Sequence, residues 1–195
     1  MARSDIKPTS FEELSWSPDK YKASLTALFH HVNKHGEQVI AWYLTSKTSK
    51  GRCARWTRIG AIIALALSGI FPIISEMHVE DCKLLFHPGW ASLSLALGAV
   101  LLAYDRFFGC SRAWMRFIAT EHKIRTLLQE FQMDWEIQRA GWENPQPTKD
   151  EVQKTLSLYK GVLTRINTII EEETSIWITD FQDAMKKLDD SLRAL

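Results

Sequence analysis

The chain has 195 residues, with 24 Lys and Arg against 23 Asp and Glu and a formal net charge of +1 at pH 7. That length suits one domain with a sizeable core or one small membrane-embedded module. The near-neutral balance removes bulk charge as a reason to expect nucleic-acid binding.

The balance hides an asymmetry. Residues 1–58 hold ten basic and five acidic side chains, and residues 126–195 hold eight basic and thirteen acidic. Eight Trp is high for this length, and Trp favours places with one apolar and one wet end, membrane interfaces among them.

Residues 1–16 form a polar N-terminus, expected to be flexible. The first long apolar run begins only near residue 59, too late for a cleavable signal peptide. Ser17-Pro18-Asp19 then reads as a helix start: a capping hydroxyl, a proline in the first turn and an acid near the positive end of the dipole. The helix is predicted over 17–50, with Tyr21, Leu25, Leu28, Val32, Val39 and Trp42 along one side and Gly36 weakening its middle.

Two charge-free runs decide the class. Ile59–Ser75 and Pro88–Tyr104 each contain 17 residues without a charge. At about 1.5 Å per residue each reaches roughly 25 Å, the short end of what a bilayer core of about 30 Å requires. Trp56, Arg58 and Trp90 flank them as interfacial anchors. Core helices of soluble bundles usually keep a polar stripe, and neither run has one. The runs are therefore read as transmembrane helices over 59–75 and 88–104, joined by a short external connector at 76–87.

Flanking charge sets the orientation. Residues 44–58 contain Lys47, Lys50, Arg52, Arg55 and Arg58 and no acid, whereas the connector carries Glu76, Glu80 and Asp81 against Lys83. Basic residues stay cytoplasmic, so both termini are expected inside.

Within the spans Gly60, Ala64 and Ser68 form a small-residue stripe, as do Ser92, Ala96, Ala99 and Ala103, and Ser94 with Gly98 makes another small pair. Such residues let helices approach closely, so these positions are candidates for span packing or pore lining. Pro72 removes a backbone donor and is expected to bend the first span.

A cytoplasmic helix is predicted over 105–140. Phe117, Ile124 and Phe131 recur every seven residues, interleaved with Trp114, Glu121, Leu128 and Trp135. Gly141, Pro145 and Pro147 mark a turn at 141–148, and Thr148 caps a last cytoplasmic helix over 149–193. Val152, Leu156, Tyr159, Leu163, Ile166 and Ile170 line that helix before Glu171-Glu172-Glu173, read as a solvated face. A second phase follows through Trp177, Phe181, Leu188 and Leu192. The fold class is thus all-α: a two-helix transmembrane hairpin with a cytoplasmic helical bundle or coiled coil.

Catalytic chemistry finds no foothold. Cys53, Cys82 and Cys110 lie 29 and 28 residues apart with no C-x-x-C, so zinc-ribbon and thioredoxin spacings are missing. His31 and His35 have metal-ligand spacing on a helix but no evident third ligand. No phosphate loop or nucleophile elbow occurs. No enzyme activity, no cofactor and no metal are expected.

The stretch after the second span is more specific. Asp105, Arg106, Phe107, Phe108 and Gly109 are followed by Cys110, Ser111, Arg112, Ala113, Trp114, Met115 and Arg116. Tyr104, Phe107 and Phe108 suit the headgroup level, and Arg106, Arg112 and Arg116 can meet anionic lipid. Asp105 is expected to pair locally, with Arg106 or with a basic residue before the first span, and Gly109 to bend the junction.

This DRFFG motif, the Ala-Trp-Met-Arg element behind it, the segment Ala41–Lys47 and the basic stretch before the first span together resemble the SLATT family. These are two-transmembrane effector domains associated with bacterial anti-phage systems. The resemblance covers roughly residues 20–140 and extends toward the last helix, as one SLATT-like domain overall.

It implies an effector of the bacterial inner membrane that oligomerises and forms a pore, or otherwise compromises the membrane, in abortive infection. The trigger is expected from a nucleotide-signalling or sensor protein encoded separately. The expected partners are therefore membrane lipid, further copies of the chain and that signalling component, with no nucleic acid. The alternative is a non-conducting anchor or scaffold that recruits a cytoplasmic partner through its helices. Two spans cannot enclose a water-filled path, so conduction requires several copies, lined by Ser68, Ser92, Ser94 and apolar residues.

Overall fold

A computed structural model describes residues 10, 13–76, 89–142 and 146–193, all but 76, 188, 191 and 192 with their side chains. Among the described residues there are four helices and no strand: α1 (Tyr21–Glu76), α2 (Gly89–Phe108), α3 (Cys110–Ala140) and α4 (Lys149–Arg193). Most of the connector at 76–87, Cys82 included, lies outside the described residues, as do Pro145 and the side chains of Leu188 and Leu192.

The first helix departs from its expected division. Sequence reading separates a helix at 17–50 from a span at 59–75, but α1 runs unbroken for 56 residues and passes through Pro72. The intervening stretch, residues 51–58, is rich in arginine and holds no proline, and its one glycine, Gly51, stays inside the helix with the Trp114 ring against it. At the other end Ser17 to Lys20 form a turn ahead of the helix, with Lys20 N–H donating to the Ser17 carbonyl at 2.8 Å. The end is then tied by a residue from the loop before α4. Lys22 N–H donates to Gln146 Oε1 at 3.1 Å, and Gln146 Nε2 donates to the Asp19 carbonyl at 2.8 Å. A hydrogen bond from Ser17, above all, holds the Asp19 carboxyl below its usual range.

The chain divides into two compact units. Unit 1 comprises Met1–Ser46 and Arg116–Trp177, and unit 2 comprises Lys47–Met115 and Ile178–Leu195.

Unit 1 is a helical core built from the apolar periodicities. Leu25, Leu28, Val32, Val39 and Tyr43 of α1 meet Phe117, Ile124, Leu127, Leu128, Phe131 and Trp135 of α3 and Val152, Tyr159, Val162 and Ile166 of α4. Burying a large apolar side chain contributes about 1.5–3 kcal/mol, so these contacts dominate the unit's cohesion. Trp135 lies parallel to Phe29 at 5.1 Å and edge-on to Trp142 at 5.6 Å.

Gly36 has a packing role: a Cβ there would stand 2.6 Å from a methyl of Leu128. The interruption of the seam at Glu121 is also accommodated. This carboxylate is buried and accepts from Arg125 Nε at 2.8 Å and from the neighbouring Nη2. Tyr159 donates its hydroxyl to the Leu25 carbonyl at 3.1 Å, and burial raises its pKa. Among the described residues no buried side-chain nitrogen or oxygen lacks a hydrogen-bond partner, as a well-formed core requires.

Unit 2 contains the two apolar runs. Contacts pair Arg58 with Asp105, Gly60 with Leu101 and Leu65 with Gly98. The partner number falls as the α1 number rises, so α1 and α2 form an antiparallel hairpin here. Its seam is thin: Ala61, Ala64 and Gly98 are buried. Large side chains point outward, among them Ile62 at 66% exposed, Val100 at 63% and Leu93 at 57%.

Only 17% and 11% of the most apolar 18-residue windows of these helices are buried. A helix in the core of a soluble bundle has the opposite arrangement, so the soluble reading fails. Both helices are long and apolar enough to cross a membrane.

Candidate functional site

The junction where α2 leaves the apolar run is built around Gly109. Its φ is +58°, a left-handed conformation that costs other L-residues roughly 1–2 kcal/mol. Gly109 N–H still donates to the Asp105 carbonyl at 2.9 Å, closing α2, while its own carbonyl accepts from Ala113 N–H at 2.8 Å, opening α3. One glycine thus ends one helix and starts the next.

Asp105 bridges the break. Its Oδ1 accepts from Ser111 N–H at 3.2 Å, and its Oδ2 accepts from the Ser111 hydroxyl at 2.7 Å. The first amides of a helix have no intrahelical acceptor, and the carboxylate at the end of α2 satisfies one of them in α3. Asp105 also stands 3.8 Å from Arg58 Nε. Of its two expected local partners, the basic residue before the first span is therefore the one that faces it. Sequence reading missed Ser111, whose hydroxyl just inside a helix start was the available signal.

Arg106 is exposed, and its carbonyl accepts from Arg112 Nη2 at 3.3 Å. Phe107 and Phe108 lie edge-on at 5.2 Å, and Phe108 packs on Tyr104 at 4.4 Å, as an aromatic collar. The trailing arginines have acidic partners on α4. Arg112 Nη1 lies 3.3 Å from Asp180 of α4 within unit 2, and Arg116 Nε lies 3.3 Å from Glu173 within unit 1. Both arginines thus carry carboxylate partners, Arg116 half-buried and Arg112 still 49% exposed. Glu173 is correspondingly not part of a solvated face: its side chain is 11% exposed. It also acts, after burial, to raise the Tyr43 pKa. A contact across such sequence distance leaves no local trace.

Two cysteines complete the junction. Cys53 of α1 and Cys110 at the start of α3 are free thiols with their sulfurs 2.7 Å apart. Burial, then the contact with Cys53, pushes the Cys110 thiol up to about 11. Beside them the Trp114 indole lies against Gly51, where a Cβ would meet the ring at 2.9 Å.

The span candidates separate into two groups. Ala64 and Gly98 are buried in the hairpin seam, and Gly60 and Ser94 are half-buried. Ser68 is half-buried as well and donates its hydroxyl to the Leu65 carbonyl at 2.7 Å. Ser92, Ala96, Ala99 and Ala103 are exposed, as is Pro72. The second stripe therefore faces away from α1. Among the described residues no group of three or more His, Cys, Asp or Glu is placed to hold a metal ion.

No curated protein and no solved structure matches the chain. The family described as the SMODS and SLOG-associating 2TM effector domain 2 matches residues 5–193, nearly the whole length. With two helices long and apolar enough to cross a membrane, the chain belongs to this SLATT family of two-transmembrane effector domains, a membrane effector of biological conflict systems.

Proposed function

We propose that this effector acts in the bacterial inner membrane as a closed oligomer that opens a pore when a partner or diffusible ligand signals infection. In this reading both termini and all helices outside the spans lie in the cytoplasm, and the protein carries no enzymatic activity. The trigger comes from a separately encoded nucleotide-signalling or sensor component.

The observation that carries the mechanism is the attachment of α4 to the membrane exit. Asp180 holds Arg112 within one unit, three residues beyond the helix break at Gly109. A change in α4 therefore has a direct mechanical route to the end of α2.

Self-association is supported by what the hairpin leaves uncovered. Ser92, Ala96, Ala99 and Ala103 face outward from α2, with geometry suited to close helix approach. On α4 the second apolar phase is exposed, Trp177 at 53% and Phe181 at 48%. No Asp, Glu, Lys or Arg occurs within either apolar run, so a resting pore would be closed by dewetting and weakly selective when open.

The test is induction of the full chain with its neighbouring defence components while a membrane-potential dye is followed. Depolarisation that precedes growth arrest supports the pore. An unchanged potential during full toxicity refutes it and favours the scaffold, as would full activity after the spans are exchanged for an unrelated hairpin.

A further inference from the structure

We propose that a groove on unit 2, between the basic stretch of α1 and the start of α3, is a binding site for an anionic phospholipid headgroup. The groove encloses about 680 Å³ and is lined by Arg52, Arg55, Trp56, Arg58 and Ile59 of α1 and by Trp114 of α3, among others.

Four observations point to a phosphate-bearing amphiphile. The first is charge. Arg52 and Arg55 are exposed and make no ion pair among the described residues, whereas Arg112 and Arg116 are engaged by Asp180 and Glu173. Arg58 is 60% exposed and only loosely engaged by Asp105 at 3.8 Å. Three arginines on successive turns thus line one groove, with Asp105 near Arg58 alone, and planar guanidinium forks match phosphate oxygens.

The second is depth. Counted from Ile59, the first residue of the charge-free run, Arg58, Arg55 and Arg52 lie about 1.5, 6 and 10.5 Å along the axis at 1.5 Å per residue. A headgroup layer is roughly 5–7 Å thick on each side of the hydrocarbon. Arg58 and Arg55 fall within it, and Arg52 reaches it through its flexible stem.

The third is the aromatic wall. Trp56 is 67% exposed and Trp114 40% exposed. Both line the groove, Trp114 beside Gly51 and Trp56 nearer the apolar run, and each carries an N–H donor suited to the ester and phosphate region.

The fourth separates a lipid from a soluble phosphate. The groove opens at Ile59 onto the outward face of α1, where Ile62 and Ile63 are 66% and 54% exposed. A soluble nucleotide would satisfy the arginines and leave this apolar continuation unused. A phospholipid satisfies both, its phosphate in the groove and its acyl chains along the α1 face.

The test uses the full chain purified in an uncharged detergent and titrated with phosphatidylglycerol or phosphatidylcholine. Retained lipid is read by native mass spectrometry and the unfolding midpoint by thermal scan. Phosphatidylglycerol is expected to be retained at least tenfold better than phosphatidylcholine and to raise the midpoint, with both effects weakening in high salt.

The exposed double variant Arg52→Gln/Arg55→Gln should bind roughly thirtyfold more weakly, from about a fivefold loss per surface cation. Arg52→Lys/Arg55→Lys keeps the charges but not the planar forks and should bind between wild type and the Gln pair. Arg165→Gln on exposed α4 should change nothing. Equal retention of the two lipids, or wild-type retention by the Gln pair, overturns the proposal. Displacement by inorganic phosphate or ATP at submillimolar concentration overturns it too, because the ligand would then be a soluble phosphate.

Discussion

Replacing Asp105 with alanine should loosen the α2–α3 junction without loosening the helical core of unit 1. The carboxylate accepts the Ser111 amide and hydroxyl at 3.2 and 2.7 Å, in a site where its side chain is 16% exposed. Hydrogen bonds to a charged group contribute about 1.5–3 kcal/mol, and loss of a capping acceptor costs about 0.5–2 kcal/mol. The pairing with Arg58 adds less than about 1 kcal/mol, since that guanidinium is well exposed and solvent-screened. These overlapping contributions do not sum, and about 2–3 kcal/mol of local stability is a reasonable expectation.

The appropriate measure is local, because a chain of two units has no single unfolding free energy. Amide hydrogen exchange on a peptide covering residues 105–117 reports the opening of this junction. At about 1.4 kcal/mol per tenfold change, exchange at Ser111 should accelerate roughly 30- to 150-fold in Asp105→Ala. Asp105→Asn keeps one acceptor and should show about a tenfold effect or less. Peptides around Ile124 and Trp135, buried in the other unit, should exchange as before. Unaltered exchange at Ser111, or acceleration spread evenly over both units, would refute the assignment of Asp105 as the lock of the junction.

The cysteine pair and the start of α4 give two further tests. Mild oxidation of the full chain, with a diazene such as diamide accepting two electrons and two protons, should join Cys53 to Cys110 within one chain. Non-reducing mass mapping would detect the loss of two hydrogens, and predominant cross-linking between chains would contradict the placement of the sulfurs. Below pH 9, Cys110 should alkylate much more slowly than Cys53, because burial keeps its thiol protonated. At α4, Thr148 donates both its amide and its hydroxyl to Glu151, and these bonds hold the Glu151 carboxyl below its usual range. A depressed folded pKa stabilises above the unfolded value and loses that effect as pH falls through the folded one. The first turn of α4 should therefore fray on acidification below about pH 4.5, and Glu151→Gln should show frayed exchange already at neutral pH.

Much of this arrangement is legible in the sequence because local periodicity carried it. The seven-residue spacing of Phe117, Ile124 and Phe131 marks the buried face of α3, and the two charge-free runs mark the hairpin. What escapes are features with no periodic signature. The continuity of α1 through residues 51–58 depends on the absence of a breaker, which composition records only weakly. The engagement of Arg112 by Asp180 and of Arg116 by Glu173 spans 68 and 57 positions. The small-residue stripes were visible, but their direction was not: a four-residue repeat defines a face without saying which neighbour it meets. Only the register that places Leu65 against Gly98 assigns Ala64 to the seam and leaves Ala96 outside.

The concentration of tethers within eight residues bears on how such a junction can switch. Asp105 faces Arg58 and holds Ser111, Cys110 touches Cys53, and Arg112 reaches both the Arg106 carbonyl and Asp180. In the proposed mechanism, tilting α2 away from α1 breaks the Arg58 contact first, because that guanidinium is 60% exposed and the pair is worth at most about 1 kcal/mol. The Asp180 contact is the one through which α4 acts. The Asp105–Ser111 bonds can survive, since they join the two sides of the Gly109 hinge and turn with it. The hinge already holds a left-handed conformation that glycine tolerates without strain. Moving such an element from almost wholly closed to almost wholly open needs about 5.5 kcal/mol of differential binding. A ligand or partner bound at micromolar strength supplies about 8 kcal/mol in total. In the proposed mechanism a single binding event on α4 is therefore sufficient when most of that energy discriminates the open from the closed state, and no covalent step is needed.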